Sequence, residues 1–255
     1  MRPIALSWVG SRTAAYTETV AFFRDGLGLR VGVERPDFLR FDLPDGGAFE
    51  LFRPGGPDDH AYFTTGPVVG FQVEDFDSAR TELVRAGCQL LGDAEGERGE
   101  YRWQHFRAPD GAVYEIVDYP TRAPDPSTLG RGGVTGIGWV GVRTSTYDPM
   151  RSFLGATVGL RLAEAEGDLV VFEFPNRDTW EVFRADGAAD HSHLTTGPLP
   201  GLVVEDLDRA EDRVRDAGVD VLARRRRGDS GWIHFRAPDG CVYELKRFET
   251  GHPRH

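Results

Sequence analysis

Apolar residues fall on every second position in a series of short runs: IALSWV from Ile4, FLRFDL from Phe38, AFELF from Ala48, VVGFQV from Val68, YRWQHF from Tyr101 and AVYEIV from Ala112. A period of two turns one face of an extended chain toward a core, so these runs are expected to be half-buried strands. Two stretches follow helical spacing instead, roughly Ala14 to Gly26 and Ser78 to Ala86. Asp77 is placed to cap the second helix and Gly87 to stop it. Further along, Asp208 followed three residues later by Glu211 resembles a capping box. The GLGL of Gly26 to Leu29 reads as the stop of the first helix, not as a phosphate cradle.

The pattern then starts again. Sliding the sequence on itself by 131 positions lays Trp8 on Trp139, Gly28 on Gly159, Glu50 on Glu181, His60 on His191 and Asp75 on Asp206. After a two-residue length change near residues 93–100 the offset is 129, which places His105 on His234 and Glu115 on Glu244. The chain is two tandem copies of one unit. Each copy reads β-α-β-β-β twice over, so a copy is itself a doubled half. Asp118 to Gly133 is dense in Pro and Gly with no hydrophobic period and reads as a connection. The expected layout is a first domain at 1–120, a linker at 121–133 and a second domain at 134–250.

The most alike segments are HFRAPDGAVYEI from His105 and HFRAPDGCVYEL from His234. Pro-Asp-Gly suits a three-residue hairpin loop with Gly111 in the left-handed bulge position. Counting outward sets Ala108 against Ala112, Phe106 against Tyr114 and His105 against Glu115. Paired residues share a face, so His105 and Glu115 stand side by side with Trp103 further along. His234, Glu244 and Trp232 repeat the arrangement. Phe106 and Tyr114 point the other way, toward a helix-packed core, and so does Trp180, next to Glu181.

Charge narrows the partners. A formal net charge of −11 and a pI near 5.1 disfavour nucleic acid and anionic membrane, both of which repel an acidic surface. No apolar run is long enough for a signal peptide or a membrane span, so the expected location is cytoplasmic. Cys88 and Cys241 occupy non-equivalent points of the repeat and read as reduced thiols at or near the core. A Walker loop and a CxxC pair are missing from the sequence, which leaves P-loop and dithiol chemistry without support.

Several pieces together resemble the vicinal oxygen chelate superfamily, which includes glyoxalase I, bleomycin-resistance and fosfomycin-resistance proteins and extradiol dioxygenases. They are the doubled β-α-β-β-β order, GSRT and GVRT (from Gly10 and Gly141) after the first strand, FxRDGLGL closing the first helix, the FELF strand, and APDGxVYE. The resemblance implies an α+β fold: two tandem glyoxalase-like domains, each of paired βαβββ modules forming a curved mixed sheet with helices on the convex side. It further implies that each copy folds its own eight strands around a ligand or metal on the concave face. The family's four metal-ligand positions fall on Trp8, Glu50, Val68 and Glu115 in copy one, and on Trp139, Glu181, Leu199 and Glu244 in copy two. Two of the four in each copy are side chains that bind no divalent metal.

Two readings of these residues stay open. In the first, the protein binds a small organic ligand in pockets walled by Trp8, Trp103, Trp139 and Trp232, with Glu50, Glu115, Glu181, Glu244 and the two histidines as polar groups and no obligatory metal. In the second it is a lyase, isomerase or dioxygenase, with His105, Glu115, His234 and Glu244 catalytic. That enzyme uses either a metal-free His–Glu acid/base pair or an altered metal set, His105 with Glu50 and Glu115, or His234 with Glu181 and Glu244. A weaker variant has one copy reduced to a scaffold. The chain is expected to be a monomer or a homodimer. His60 and His191 read as loop residues and Arg224 to Arg227 as a solvated loop.

Overall fold

The computed structural model describes residues 3–56, 61–64, 66–97, 101–118, 129–187, 194 and 197–248. In copy one the elements are β1 (Pro3–Arg12), α1 (Tyr16–Ala21), β2 (Arg30–Arg35), β3 (Phe38–Asp42), β4 (Ala48–Phe52), β5 (Val68–Val73), α2 (Phe76–Arg85), β6 (Gln89–Glu97), β7 (Tyr101–Arg107) and β8 (Val113–Asp118). Copy two continues with β9 (Val134–Thr144), α3 (Tyr147–Ser152), β10 (Arg161–Glu166), β11 (Leu169–Glu173), β12 (Thr179–Arg184), β13 (Leu199–Val204), α4 (Leu207–Asp216), β14 (Asp220–Arg227), β15 (Ser230–Arg236) and β16 (Val242–Arg247). α1 and α3 each run on into a π-helical turn, Phe22–Gly26 and Phe153–Val158, and a 3-10 turn at Ala61–Thr64 precedes β5. None of the described helices is long and apolar enough to cross a membrane.

The strands form two mixed eight-stranded sheets, and neither belongs to one copy. The first sheet runs β14-β15-β16-β13-β1-β4-β3-β2 and the second β10-β11-β12-β9-β5-β8-β7-β6. This corrects the expectation that each copy curls its own eight strands around a site. β1 pairs antiparallel with β13, setting Trp8 against Gly201, and β5 pairs with β9, setting Gly70 against Trp139. The paired βαβββ modules therefore come from different copies. The helix-bearing faces explain this: in copy one, Phe23 lies 4.6 Å from Phe49 of the first sheet and 5.4 Å from Tyr114 of the second (ring centroids). The two modules of a copy bury their helix faces on each other, which leaves each free to extend its sheet with the other copy.

Local differences have physical causes. Helix α2 starts two residues before the expected point: Asp75, not Asp77, is the N-cap, its carboxylate accepting the Ser78 N–H at 2.8 Å. Asp206 caps α4 in the same way, through Arg209. Asp77 and Asp208 fall in the first helical turn, where a negative charge is favoured by the N-terminal dipole. Gly10 to Arg12 of GSRT and all of GVRT lie within β1 and β9, not after them. Arg224 to Arg227 lie on edge strand β14, not in a loop, and Arg224 and Arg226 both pair with Glu211 of α4. Most of the expected linker, along with His60 and His191, lies outside the described residues.

Candidate functional site

The hairpin register holds in both copies. His105 pairs with Glu115 and Phe106 with Tyr114, and likewise His234 with Glu244 and Phe235 with Tyr243. Ala108 N–H donates to the Ala112 carbonyl at 3.1 Å, and Gly111 sits at φ 81°, the left-handed conformation the turn requires. Asp110 does more than fill a corner. It accepts the Ala112 N–H, the Tyr114 hydroxyl at 2.6 Å and the Ser11 hydroxyl at 2.7 Å, the last from the other sheet. Asp239 likewise takes the Cys241 N–H and the Tyr243 hydroxyl. These bonds lock Tyr114 and Tyr243 on the helix face, which turns the His/Glu pair onto the opposite, site face. Burial raises the thiol pKa of Cys88 to about 11 and also pushes Cys241 up; both are free.

On the first sheet, one row across the site face reads Ala48, Trp8, Gly201, Glu244, His234. The Trp8 indole lies along the sheet over Gly10, where any Cβ would strike its ring, and Glu50 is the residue paired with Gly10. His234 Nε2 is 3.0 Å from Glu244 Oε2, and its Nδ1 is 2.9 Å from the Tyr62 hydroxyl. Trp232 stacks on the imidazole at 4.3 Å, and Phe63 meets it edge-on at 5.3 Å. Lys246 Nζ stands 3.7 Å from Glu244 Oε1 and 5.3 Å from the Trp8 ring centroid. Burial raises the pKa of Glu50, while Lys246 and Arg40, its cross-strand partner, oppose the rise. Burial, and then the Glu244 charge, raise the Tyr62 hydroxyl to about 12.

The second sheet repeats the frame with different charges. Its row is Thr179, Trp139, Gly70, Glu115, His105, with Trp139 lying over Gly141 and Glu181 paired with Gly141. His105 Nε2 is 3.1 Å from Glu115 Oε2. The positions of Arg40 and Lys246 are held by Val171 and Val117. Burial first, then the Glu115 charge, push Glu181 up to about 8, and burial holds Glu115 well above the usual carboxylate range. Glu115 Oε1 and Glu244 Oε1, together with the indole N–H groups of Trp8 and Trp139, are buried without a hydrogen bond of good geometry.

Strand exchange redistributes the expected sets. Glu50 does not join His105 and Glu115; it shares a sheet with His234 and Glu244, while Glu181 shares one with His105 and Glu115. The family's four metal-ligand positions become Trp8, Glu50, Leu199 and Glu244 on one sheet, and Trp139, Glu181, Val68 and Glu115 on the other. Neither set fits a metal: an indole ring covers the floor between the two carboxylates, and Glu244 already faces His234 and Lys246. Among the described residues no group of three His, Cys, Asp or Glu side chains is placed to hold a metal ion, including the altered His/Glu/Glu sets.

Three residues of this face went unread in the sequence. Lys246 is the only lysine in the chain and lies two residues beyond Glu244, hence on the same strand face. Arg40 is legible only once β3 is registered against β4. Tyr62 comes from the connection before β5, where no periodicity points.

The family profile described as Glyoxalase/Bleomycin resistance protein/Dioxygenase superfamily matches residues 5–116, nearly all of copy one. Copy one thus matches this superfamily, and copy two repeats its sequence pattern. Among solved structures it is similar to a "putative dioxygenase" from Bacillus subtilis subsp. subtilis str. 168, with a TM-score of 0.71 at 17% identity, covering 98% of this chain and 87% of that one. It is also similar to glyoxalase I from Zea mays, with a TM-score of 0.66 at 15% identity, covering 96% of this chain and 92% of that one. At such identities the likeness establishes the glyoxalase-like fold across both copies and leaves the chemistry to the residues. No curated protein sequence matches the chain significantly.

Proposed function

We propose that this glyoxalase-like chain binds small organic molecules on the two site faces, each with an aromatic and acidic floor, without metal chemistry. The observation that carries this reading is the indole at the first-strand ligand position, laid over a glycine between two carboxylates in both sheets. A flat aromatic surface beside a few convergent polar groups suits an organic ligand. Tryptophan fluorescence titrated with a panel of aromatic and aliphatic ligands tests it. Binding that disappears site by site in Trp8→Phe and Trp139→Phe is the expected result. Stoichiometric metal in protein purified without chelator, lost in Glu244→Gln, would overturn the metal-free reading.

A second reading rests on the Tyr62–His234–Glu244 chain. An imidazole bonded on both ring nitrogens to titratable groups can relay a proton, so this side of the molecule also suits metal-free acid/base catalysis. Turnover that falls with Glu244→Gln and is blunted by Tyr62→Phe, while ligand affinity holds, would favour this reading over simple binding.

A further inference from the structure

The two site faces are built from the same row of residues, and one of them already contains a cation. In the first, the Lys246 ammonium stands 3.7 Å from Glu244 Oε1 and over the Trp8 ring. It lies near enough to Glu50 to favour that carboxylate's ionised form. In the second, the equivalent of Lys246 is Val117, across from Trp103 just as Lys246 is across from Trp232. Glu115 Oε1 there lies over Gly70 beside Trp139 and only 1% of the residue is exposed; like Glu244 Oε1 it has no hydrogen-bond partner, but it has no counterpart of the ammonium that stands 3.7 Å from Glu244. The His–Glu separations are nearly equal, 3.1 Å for His105–Glu115 and 3.0 Å for His234–Glu244, the latter a hydrogen bond.

Charge further out follows the same division. Arg40, opposite Glu50, becomes Val171 opposite Glu181. Arg225, opposite Trp232, becomes Glu95 opposite Trp103, and Val33 becomes Glu164.

We propose that the second site face binds an alkylammonium ligand, whose nitrogen takes against Glu115 and Trp139 the place that the Lys246 side chain fills against Glu244 and Trp8. The inference rests on the small-molecule reading and names its ligand class. The lysine side chain is a four-carbon chain ending in an ammonium, so the first site displays the bound state of such a ligand in tethered form. A desolvated carboxylate beside an indole face is a favourable seat for that group. Val117 supplies apolar surface for the alkyl chain. It is buried in one cluster with the half-buried Tyr101, whose counterpart is Ser230, so an entering ligand has to move the Tyr101 ring.

Calorimetric titration with n-hexylammonium tests this, with n-hexanol and hexanoate as controls of equal length. Wild-type protein is expected to bind one equivalent of the ammonium, at least about tenfold more tightly than either control. Val117→Lys, which supplies the second face with its own tethered ammonium, should lose that equivalent. Lys246→Val, which empties the first face, should gain a second. If Val117→Lys does not fold, Lys246→Val still decides. The proposal falls if hexanol binds as well as the ammonium, if folded Val117→Lys keeps its equivalent, or if Lys246→Val stays at one. Binding of neutral panel ligands without the ammonium would overturn this inference and leave the small-molecule reading standing; no binding of any ligand would overturn both.

Discussion

The two site faces differ less in their frame than in what balances their carboxylates. Both have an indole over a glycine and a buried His–Glu pair. Around Glu50 and Glu244 the chain supplies Lys246 and Arg40; around Glu181 and Glu115 it supplies valines, with Glu164 and Glu95 beyond. A buried carboxylate has two ways to lower its energy, a cation or a proton. The first face uses the cation. The second, with none among its described residues, holds a proton on Glu181 up to about pH 8. One backbone arrangement thus presents two electrostatic environments, and the difference comes from strand positions two residues or one cross-strand step away from the shared residues.

The largest test concerns what the faces share. Trp8→Ala and Trp139→Ala should each cost about 3–5 kcal/mol in chemical denaturation, because each removes a fully buried aromatic. Similar losses confirm a common floor; a loss under about 1 kcal/mol at either would break the comparison at its base.

Next comes the proton on the second face. Glu181 has a folded-state pKa raised from 4.5 to about 8, so between those values the folded chain holds a proton the unfolded chain has released. Stability from this group is complete below about pH 4.5 and is lost as pH rises through 8, by roughly 3–5 kcal/mol. In Glu181→Gln that decline should flatten in a urea-denaturation series across pH; in Glu50→Gln the change should be smaller.

Removing the cation should make the first face behave like the second. Lys246→Met is expected to cost about 1–2 kcal/mol at pH 8 and less at lower pH, since protonation of Glu50 replaces the lost cation. Carboxyl chemical shifts in NMR should show the Glu50 pKa moving further up. An unchanged Glu50 would mean that Arg40 alone balances it.

The smallest effect concerns the hairpins. Asp110 Oδ2 accepts from both Tyr114 and Ser11, whereas Asp239 Oδ2 accepts from Tyr243. Tyr243→Phe should therefore cost about 1–2 kcal/mol and Tyr114→Phe about 0.5–1 kcal/mol less, since Asp110 keeps a hydroxyl donor. Equal losses would place no weight on the Ser11 bond.

What the sequence made legible follows from its local rules. A turn of fixed length sets the hairpin register, so the pairing of His105 with Glu115, the faces of Phe106 and Tyr114, and the core position of Trp180 could be read by counting. Strand exchange could not. VVGFQV and LPGLVV are both apolar runs of equal length, and either satisfies β1 as a neighbour; the choice is made by aromatic packing between Phe23, Phe49 and Tyr114, far apart in the chain. The assignment of Glu50 to the wrong partners follows directly from that. The Asp75 cap was masked by a second aspartate two residues on. Lys246 carried a signal, its uniqueness, that a repeat-based reading passes over because copy one has a valine there.

Strand exchange has a further consequence for how the faces could diverge. If a single copy existed as a separate chain, it would complete its sheets by pairing with an identical chain about a twofold axis, and every mutation would appear in both sites at once. Joining the copies covalently removes that constraint. A lysine can then arise in one hairpin alone, giving one polypeptide a self-satisfied cup and a receptive one, a broken symmetry that an assembly of identical subunits cannot encode.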